Sequence, residues 1–454
     1  MMDLLKLSLA SLRKRRLNSL LNVLLLSLGI ATIVVLLLVS TQLEDNLYKN
    51  AEGVDAVVGA SGSPVQLILS AVFHMDAPTG NIGLDEAVRV IRHPMVEKAI
   101  PLALGDNVGG FRMVGTTTEY PSRYGAELAE GTFWDHEFEL VAGSEAARVL
   151  NVQVGDTLYS AHGLADAGHV HADHGLKVVG ILGATGSVVD QLFLSGVETM
   201  WGIHSYDEGE GQDHGEDYDH DQENGLDRGE DQDHNHSNDR GEDHDRNHNI
   251  DHGHDHTRGR PVTDTSYLSE TNLDQQITSL LIEYRNPLAA AQFPRFIMDQ
   301  TTLQAAAPAI EITRLLSLLG IGLDAIRIFA FILIFASLLG IFIALLNSMK
   351  DRKYDLAILR TLGAPRWKLF TLLTLEGFIL TFSGTILGMI IGHSSVLILS
   401  ETVAQAQQFQ VDAFRFLPAE IQLFGLALVT GLIASLIPAV QAYQTDIAKT
   451  LTKT

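Results

Sequence analysis

The chain contains no cysteine. That excludes a disulfide framework, thiolate metal sites and cysteine nucleophiles, and is compatible with an oxidising compartment. Its 454 residues also lack a G-x-x-x-x-G-K-[ST] phosphate loop, so the chain does not bind ATP by that device. Positive charge is scarce: 31 Lys and Arg stand against 55 Asp and Glu, a net charge of −24. Nucleic-acid binding needs basic stripes against phosphate, and the acidic balance argues against it. No Ser/His/Asp arrangement or paired-carboxylate spacing stands out above chance, which argues against an enzyme acting alone.

What the chain does hold is unevenly spread. Between Ser205 and Arg260 there are 19 Asp and Glu against 5 Arg, so this segment supplies more than half of the net charge. Ten histidines lie between His204 and His256, including His234-x-His236 and His252-x-His254-x-His256. With almost no apolar residues, 204–260 cannot offset its ordering entropy and is expected to be a disordered His/Asp-rich insert. Four more histidines, His162, His169, His171 and His174, fall in an earlier loop. Alternating His-x-His puts imidazoles on one side of an extended backbone, and imidazole with carboxylate suits zinc, copper or nickel. The metal candidates are therefore His162, His169, His171, His174, His252, His254 and His256, set against a plain solvated spacer in which histidine is incidental.

Four apolar runs lie at the two ends. Residues 1–19 combine Leu4, Leu5, Leu7, Leu9 and Leu12 with Lys6 and Arg13-Lys14-Arg15-Arg16, the pattern of an amphipathic helix on an anionic leaflet. The first span is 20–40. It is too long for the core of a signal peptide, and no small-x-small site follows, so it reads as an uncleaved anchor. Its basic flank puts the N-terminus in the cytoplasm. The remaining spans are 326–347, 369–392 and 421–443, separated by a basic cytoplasmic loop at 348–368 and a short external connection at 393–420. The tail, 444–454, returns to the cytoplasm.

Residues 41–325 read as an α+β domain. Short β-type runs at 54–58, 111–116, 177–182 and 188–194 are separated by Gly, Pro and Asn turns, with helices at 84–92 and 145–150. After the insert, 276–284 reads as a returning strand, and 286–304 with 310–323 as helices leading to the membrane. The expected fold class is thus a membrane protein with four transmembrane α-helices, one and then three. A large α+β extracytoplasmic domain is inserted between helices 1 and 2.

Two features of the membrane part suggest function. Gly377, Gly384, Gly388 and Gly392, at offsets of seven, four and four, place small residues on one face of the third span, where a helix of this chain or of a second copy can approach closely. Beside them Glu376 is an ionisable group near the cytoplasmic end: either a functional site or a side chain that reaches the interface.

Three stretches resemble the FtsX/MacB-like permeases, the type VII ABC transporter superfamily, of the lipoprotein-release and macrolide-export type. In KDRKYDLAILRTLGAPRWK, residues 350–368, Arg352, Asp355, Ala357, Leu359, Arg360, Leu362, Gly363 and Ala364 are similar to the family's cytoplasmic coupling helix, with Tyr354 where the family has Glu. LVAGSEAARVLNVQVGDT, residues 140–157, is similar to a run in the family's external domains, in which Gly155-Asp156 turns the chain into the next strand. The tail with Pro438, Ala439, Ala442, Asp446 and Leu451 is similar to the family's closing motif, with Ile447 where proline is usual.

The resemblance implies a permease subunit in a bacterial inner membrane, with both termini cytoplasmic and the domain periplasmic. It implies an ABC ATPase partner that binds the ATP, a second permease copy and surrounding lipid, and no cofactor in this chain. Arg352, Asp355, Leu359, Arg360 and Gly363 would couple to the ATPase, and the cargo would be lipoprotein-like or amphiphilic. The alternatives are a zinc-linked system using the histidine tracts, and a non-transporting activator of a periplasmic hydrolase.

Overall fold

The computed structural model describes residues 2–163, 175–210, 259–351, 365–403 and 411–444. A short helix, α1 (Met2–Lys14), bends at Arg15 into α2 (Arg16–Ala51). With 36 residues and no charge from Leu17 to Leu43, α2 is about 54 Å long, well beyond the roughly 30 Å of a bilayer core. The other long helices are α9 (Pro308–Asp351), α10 (Arg366–Val403) and α11 (Pro418–Gln444). All four are long and apolar enough to cross a membrane.

The expected helix at 310–323 and the second span are one continuous helix, α9. Within it Asp324 and Arg327, one turn apart, pair at 2.8 Å, a contact that favours the helix by roughly a few tenths of a kcal/mol. At 44 residues, α9 is about 66 Å long.

Between α2 and α9 the described residues form a domain with one mixed eleven-stranded sheet and a separate two-stranded sheet. Its strands are β1 (Ala56–Ala60), β2 (Ile82–Gly83), β3 (Val96–Val108), β4 (Phe111–Thr116), β5 (Leu128–Gly131), β6 (Glu139–Ala142), β7 (Thr157–Leu158), β8 (Ala161–His162), β9 (Leu176–Leu182), β10 (Phe193–Gly196), β11 (Gln276–Ile277), β12 (Ser279–Tyr284) and β13 (Leu303–Ala306). The main order is β13-β1-β12-β3-β4-β10-β6-β9-β5, with β7 added on β9 and β8 on β3, while β11 pairs only with β2. The helices around it are α3 (Pro64–Ala71), α4 (Leu84–Ile91), α5 (Glu119–Arg123), α6 (Ser144–Leu150), α7 (Val197–Glu210) and α8 (Ala289–Gln300).

Strand side chains alternate between two separate cores. Ala56 and Val58 enter one and Val57 the other; Met113 and Val114, Leu140 and Val141, and Phe193 and Leu194 divide in the same way. A sheet covered on both faces needs apolar residues at successive positions, which is why these strands read as continuous apolar runs.

Four local expectations are corrected. Residues 188–194 are not one strand: Val188–Gln191 is a 3-10 turn and only Phe193–Gly196 is β10. The Asp190 carboxylate accepts from the backbone N–H of Thr185 and Gly186 and from the Thr185 hydroxyl, curling the backbone before it can pair. The run 276–284 breaks at Thr278, whose Oγ1 accepts from Leu104 N, so its two halves pair with different strands. The helix expected to reach 304 stops at Gln300; Thr302 is held through N and Oγ1 by Glu86, and the next residues become edge strand β13. Finally, the insert does not begin at 204. Met200 and Ile203 bury against the sheet and carry α7 on to Glu210, and at the other end Arg260 Nε pairs with Glu137 at 2.9 Å.

Candidate functional site

In the membrane bundle, α2 is the central post, packed against α9 and α10. The glycines of α10 set how near the helices come. A Cβ on Gly384 would lie 2.8 Å from Leu26 Cδ2, one on Gly388 2.7 Å from the backbone oxygen of Ser27, and one on Gly392 2.8 Å from Val34 Cβ. The fourth, Gly377, faces α11 instead, with Ser435 Cβ at 2.5 Å. Three of the four thus serve one interface, with α2 of the same chain. Gly29 against Ile334 and Gly340 against Asn22 make the same close approach between α2 and α9. Sequence reasoning missed both, because single glycines in an apolar run carry no spacing signal.

Polar ties mark the two ends of this bundle. On the α1 side, Arg15 Nη1 donates to Ala344 O at 3.3 Å, and Glu376, 2% exposed, lines one small cavity with Arg15, Asn18 and Ser19. On the domain side, Gln42 of α2 clasps the backbone of Asp412 twice: Nε2 donates to its O at 3.0 Å, and Oε1 accepts from its N at 2.7 Å. Arg415 pairs with Asp45 at 2.8 Å. His393 places Nδ1 2.7 Å from Ala413 O and Nε2 2.9 Å from the buried Glu420 carboxylate, fixing the same turn from the α10 and α11 sides.

Both rods run on into the domain and end in the same core. Leu47 of α2 and Ile312 of α9, 4% and 0% exposed, pack in one cluster with Val57, Leu67, Tyr120 and Leu281. The last turn of α2 is also held by its polar groups. Lys49 Nζ donates to the carbonyls of Thr185 and Gly186 at 2.8 and 2.9 Å, Asn50 Oδ1 accepts from Val188 N at 2.9 Å, and Arg123 Nε donates to Glu52 O at 3.1 Å. The turn that displaced the expected strand at 188–194 is therefore the socket for α2.

The other core, on the α7 side of the sheet, flanks a second constellation. Strand register sets Asp106 of β3 opposite His162 of β8, and α7 brings His204 over them. His162 Nδ1 lies 3.1 Å and His204 Nε2 3.8 Å from Asp106 Oδ1, while Ser160 Oγ donates to Asp106 Oδ2 at 3.1 Å. The Asp106 carboxylate is fully buried. The two imidazoles stack with centroids 5.1 Å apart and planes 10° from parallel. One donor atom from each of the three residues lies within 4.8 Å of the others. Of the metal candidates, His162 is the one the described residues place in such a group; Asp106 and His204 join it. His169, His171, His174, His252, His254 and His256 lie outside the described residues, as do Arg352, Asp355, Leu359, Arg360 and Gly363.

Burial shifts several titratable groups of the domain, among them His74. His74, fully buried with Nε2 2.6 Å from the Tyr120 hydroxyl, has its pKa lowered to about 3, first by desolvation and then by the Arg112 cation. In the 140–157 motif, Gly155 takes φ 101°, and Asp156 accepts from Gln153 N at 2.8 Å as the chain turns into β7.

Comparison with known proteins follows these two halves. The FtsX-like permease C-terminal model matches residues 327–447, and the MacB-like periplasmic core domain model matches residues 19–215. Together they take in well over half of the chain, each on the part of the architecture it describes. The chain belongs to the FtsX/MacB-like ABC transporter permease family. No curated protein sequence matches it. Among solved structures, the periplasmic region of MacB from Actinobacillus actinomycetemcomitans is similar at 8% identity and a TM-score of 0.32, covering 59% of this chain and 97% of that one. The extracellular domain of the noncanonic ABC-type transporter YknZ from Gram-positive bacteria is similar at 7% identity and a TM-score of 0.27, covering 55% and 97%. An FtsX/MacB-like permease is a membrane subunit that works with an ABC ATPase partner, and its α+β domain lies outside the cytoplasm.

Proposed function

We propose that this permease converts ATP hydrolysis on a partner subunit into movement of its extracytoplasmic domain, to release or export amphiphilic, lipoprotein-like cargo. The carrying observation is mechanical: α2 and α9 cross the membrane segment without a break and end in one shared core of the domain. A stiff helix gripped at its far end transmits tilt, whereas a flexible linker would absorb it. The ATPase engages residues 350–368 through Arg352, Asp355, Leu359, Arg360 and Gly363, on the strength of the family resemblance of that stretch. Both termini are cytoplasmic on this reading. Two copies pair in the inner membrane, and Ile328, Phe331 and Phe335, exposed on α9 of the single chain, face lipid or the second copy.

The test exploits the lack of cysteine. A spin label on Met298→Cys, exposed on α8, reports the distance between the domains of two copies in a reconstituted permease–ATPase complex. Adding ATP is expected to shift that distance. Inserting three glycines after Leu319 of α9 is expected to abolish the shift while ATP is still hydrolysed. A shift that persists through the insertion would overturn transmission by the rod, and no shift in the parent protein would overturn the reading altogether.

A further inference from the structure

We propose that Asp106, His162 and His204 form a binding site for a divalent transition-metal ion of borderline softness, zinc above all, on the α7 side of the sheet. Two imidazoles and one carboxylate are a donor set that such ions take. The spacing fits as well. Ligands about 2.0–2.1 Å from a tetrahedral zinc are roughly 3.3 Å from each other. Asp106 Oδ1 stands 3.1 Å from His162 Nδ1 and 3.8 Å from His204 Nε2, on either side of that value.

A plain ion pair explains less. Among the described residues, His162 Nδ1 stands at hydrogen-bonding distance of Asp106 Oδ1, and the second imidazole points a nitrogen at the same oxygen from 3.8 Å. The two rings stack at 5.1 Å and both turn a nitrogen toward one carboxylate oxygen, an arrangement that suits a shared cation. The carboxylate is further held from behind by Ser160, the outer hydrogen bond that orients a metal ligand.

The place in the fold gives the site a consequence. Asp106 is on β3, His162 on β8 and His204 on α7, so one ion ties three segments that are distant in sequence. In the sequence, His162 and His204 each immediately precede a histidine-rich stretch. Those stretches then serve to raise the local concentration of the ion beside a site of defined geometry. This role is independent of cargo and of the ATPase.

The test uses the full chain purified in detergent, with the twelve histidines at 169, 171, 174 and between 211 and 258 changed to glutamine so that the tracts do not mask the site. Cobalt(II) is the probe, because a four-coordinate site with imidazole ligands gives intense visible bands and solvated cobalt does not. One saturable equivalent, displaced by zinc, is expected. His204→Gln and Asp106→Asn, each in that background, are expected to weaken binding by about ten-fold or more. His204 is half-exposed, so its variant stays folded, and its circular dichroism and metal-free melting are expected to match the parent. Absence of the saturable band in the background protein, or its survival in a folded His204→Gln variant, would overturn the proposal.

Discussion

The two faces of the external sheet are built from the same strands yet hold different things. One face encloses the ends of α2 and α9 together with the turn around Asp190 that receives them. The other is closed by α4, α6, α7 and α8, has none of its described core residues on either rod, and borders the Asp106, His162 and His204 cluster. Adjacent residues of a single strand, such as Val57 and Val58, therefore belong to different mechanical units. The first face connects the domain to the membrane and the second holds the domain itself together. Substitutions of equal size on the two faces should thus cost similar stability and differ in their effect on coupling.

The largest effect is expected from Phe293→Ala on the α7 face, where a fully buried ring packs near Tyr284 and Phe296. Its loss should cost about 3–5 kcal/mol of domain stability. Well below the lowered melting temperature, ATP should still move the label on Met298→Cys. Ile312→Ala on the rod face should cost about 2–5 kcal/mol, and here the ATP-dependent distance change should shrink even where the domain is folded. Equal coupling in these two variants would break the comparison.

Gly388→Ala tests the membrane end of the same rod. Its methyl group would meet the Ser27 carbonyl, backbone that cannot rotate away, so α2 and α10 must separate at a cost of about 1–3 kcal/mol. Gly425→Ala, with open space around it, should change nothing measurable in the same melting assay in detergent. A neutral Gly388→Ala would show that the helices are not in tight contact.

The effect that builds most gradually, and the one that sharpens the contrast most, is pH. His74 lies on the rod face with a folded pKa of about 3 against an ordinary value of 6.5. Below 6.5 the unfolded chain takes up a proton that the folded one refuses. Stability from this group is therefore complete above pH 6.5 and falls as pH drops toward 3, by at most about 1.4 kcal/mol per pH unit. His74→Asn, chosen because asparagine tolerates the φ of 54° at this position, should flatten that slope in thermal melts between pH 6.5 and 4.5. An unchanged slope would assign the acid sensitivity elsewhere.

Much of the architecture was legible because it depends on local quantities. A run of apolar residues long enough to cross a bilayer marks a span wherever it lies, and glycines every four residues mark a helix face whatever opposes it. The α+β character and the returning strand after the insert were visible for the same reason. What was misread turned on particular side-chain partners, some of them remote in sequence. The 188–194 run has the composition of a strand, and it is a socket because Asp190 captures the preceding backbone and Asn50, far back in α2, takes Val188 N. The 310–346 region read as a helix at 310–323 and a separate span from 326, and it is one continuous helix in which Asp324 and Arg327 pair a turn apart.

The histidine cluster shows the same division most sharply. The sequence by itself determined that imidazole is concentrated around 162–174 and 204–256, that four segments are apolar enough to enter a membrane, and that the chain carries no phosphate loop. Which histidine meets which carboxylate was not determined there. Asp106 is an unremarked polar residue in a strand, and His204 reads as the start of a solvated tract. Only the antiparallel register of β3 with β8, and the apolar residues Met200 and Ile203 that pull α7 onto the sheet, bring those two side chains to His162. Strand pairing and burial act between residues far apart in the chain, so they decide which groups meet; composition decides only which groups are available.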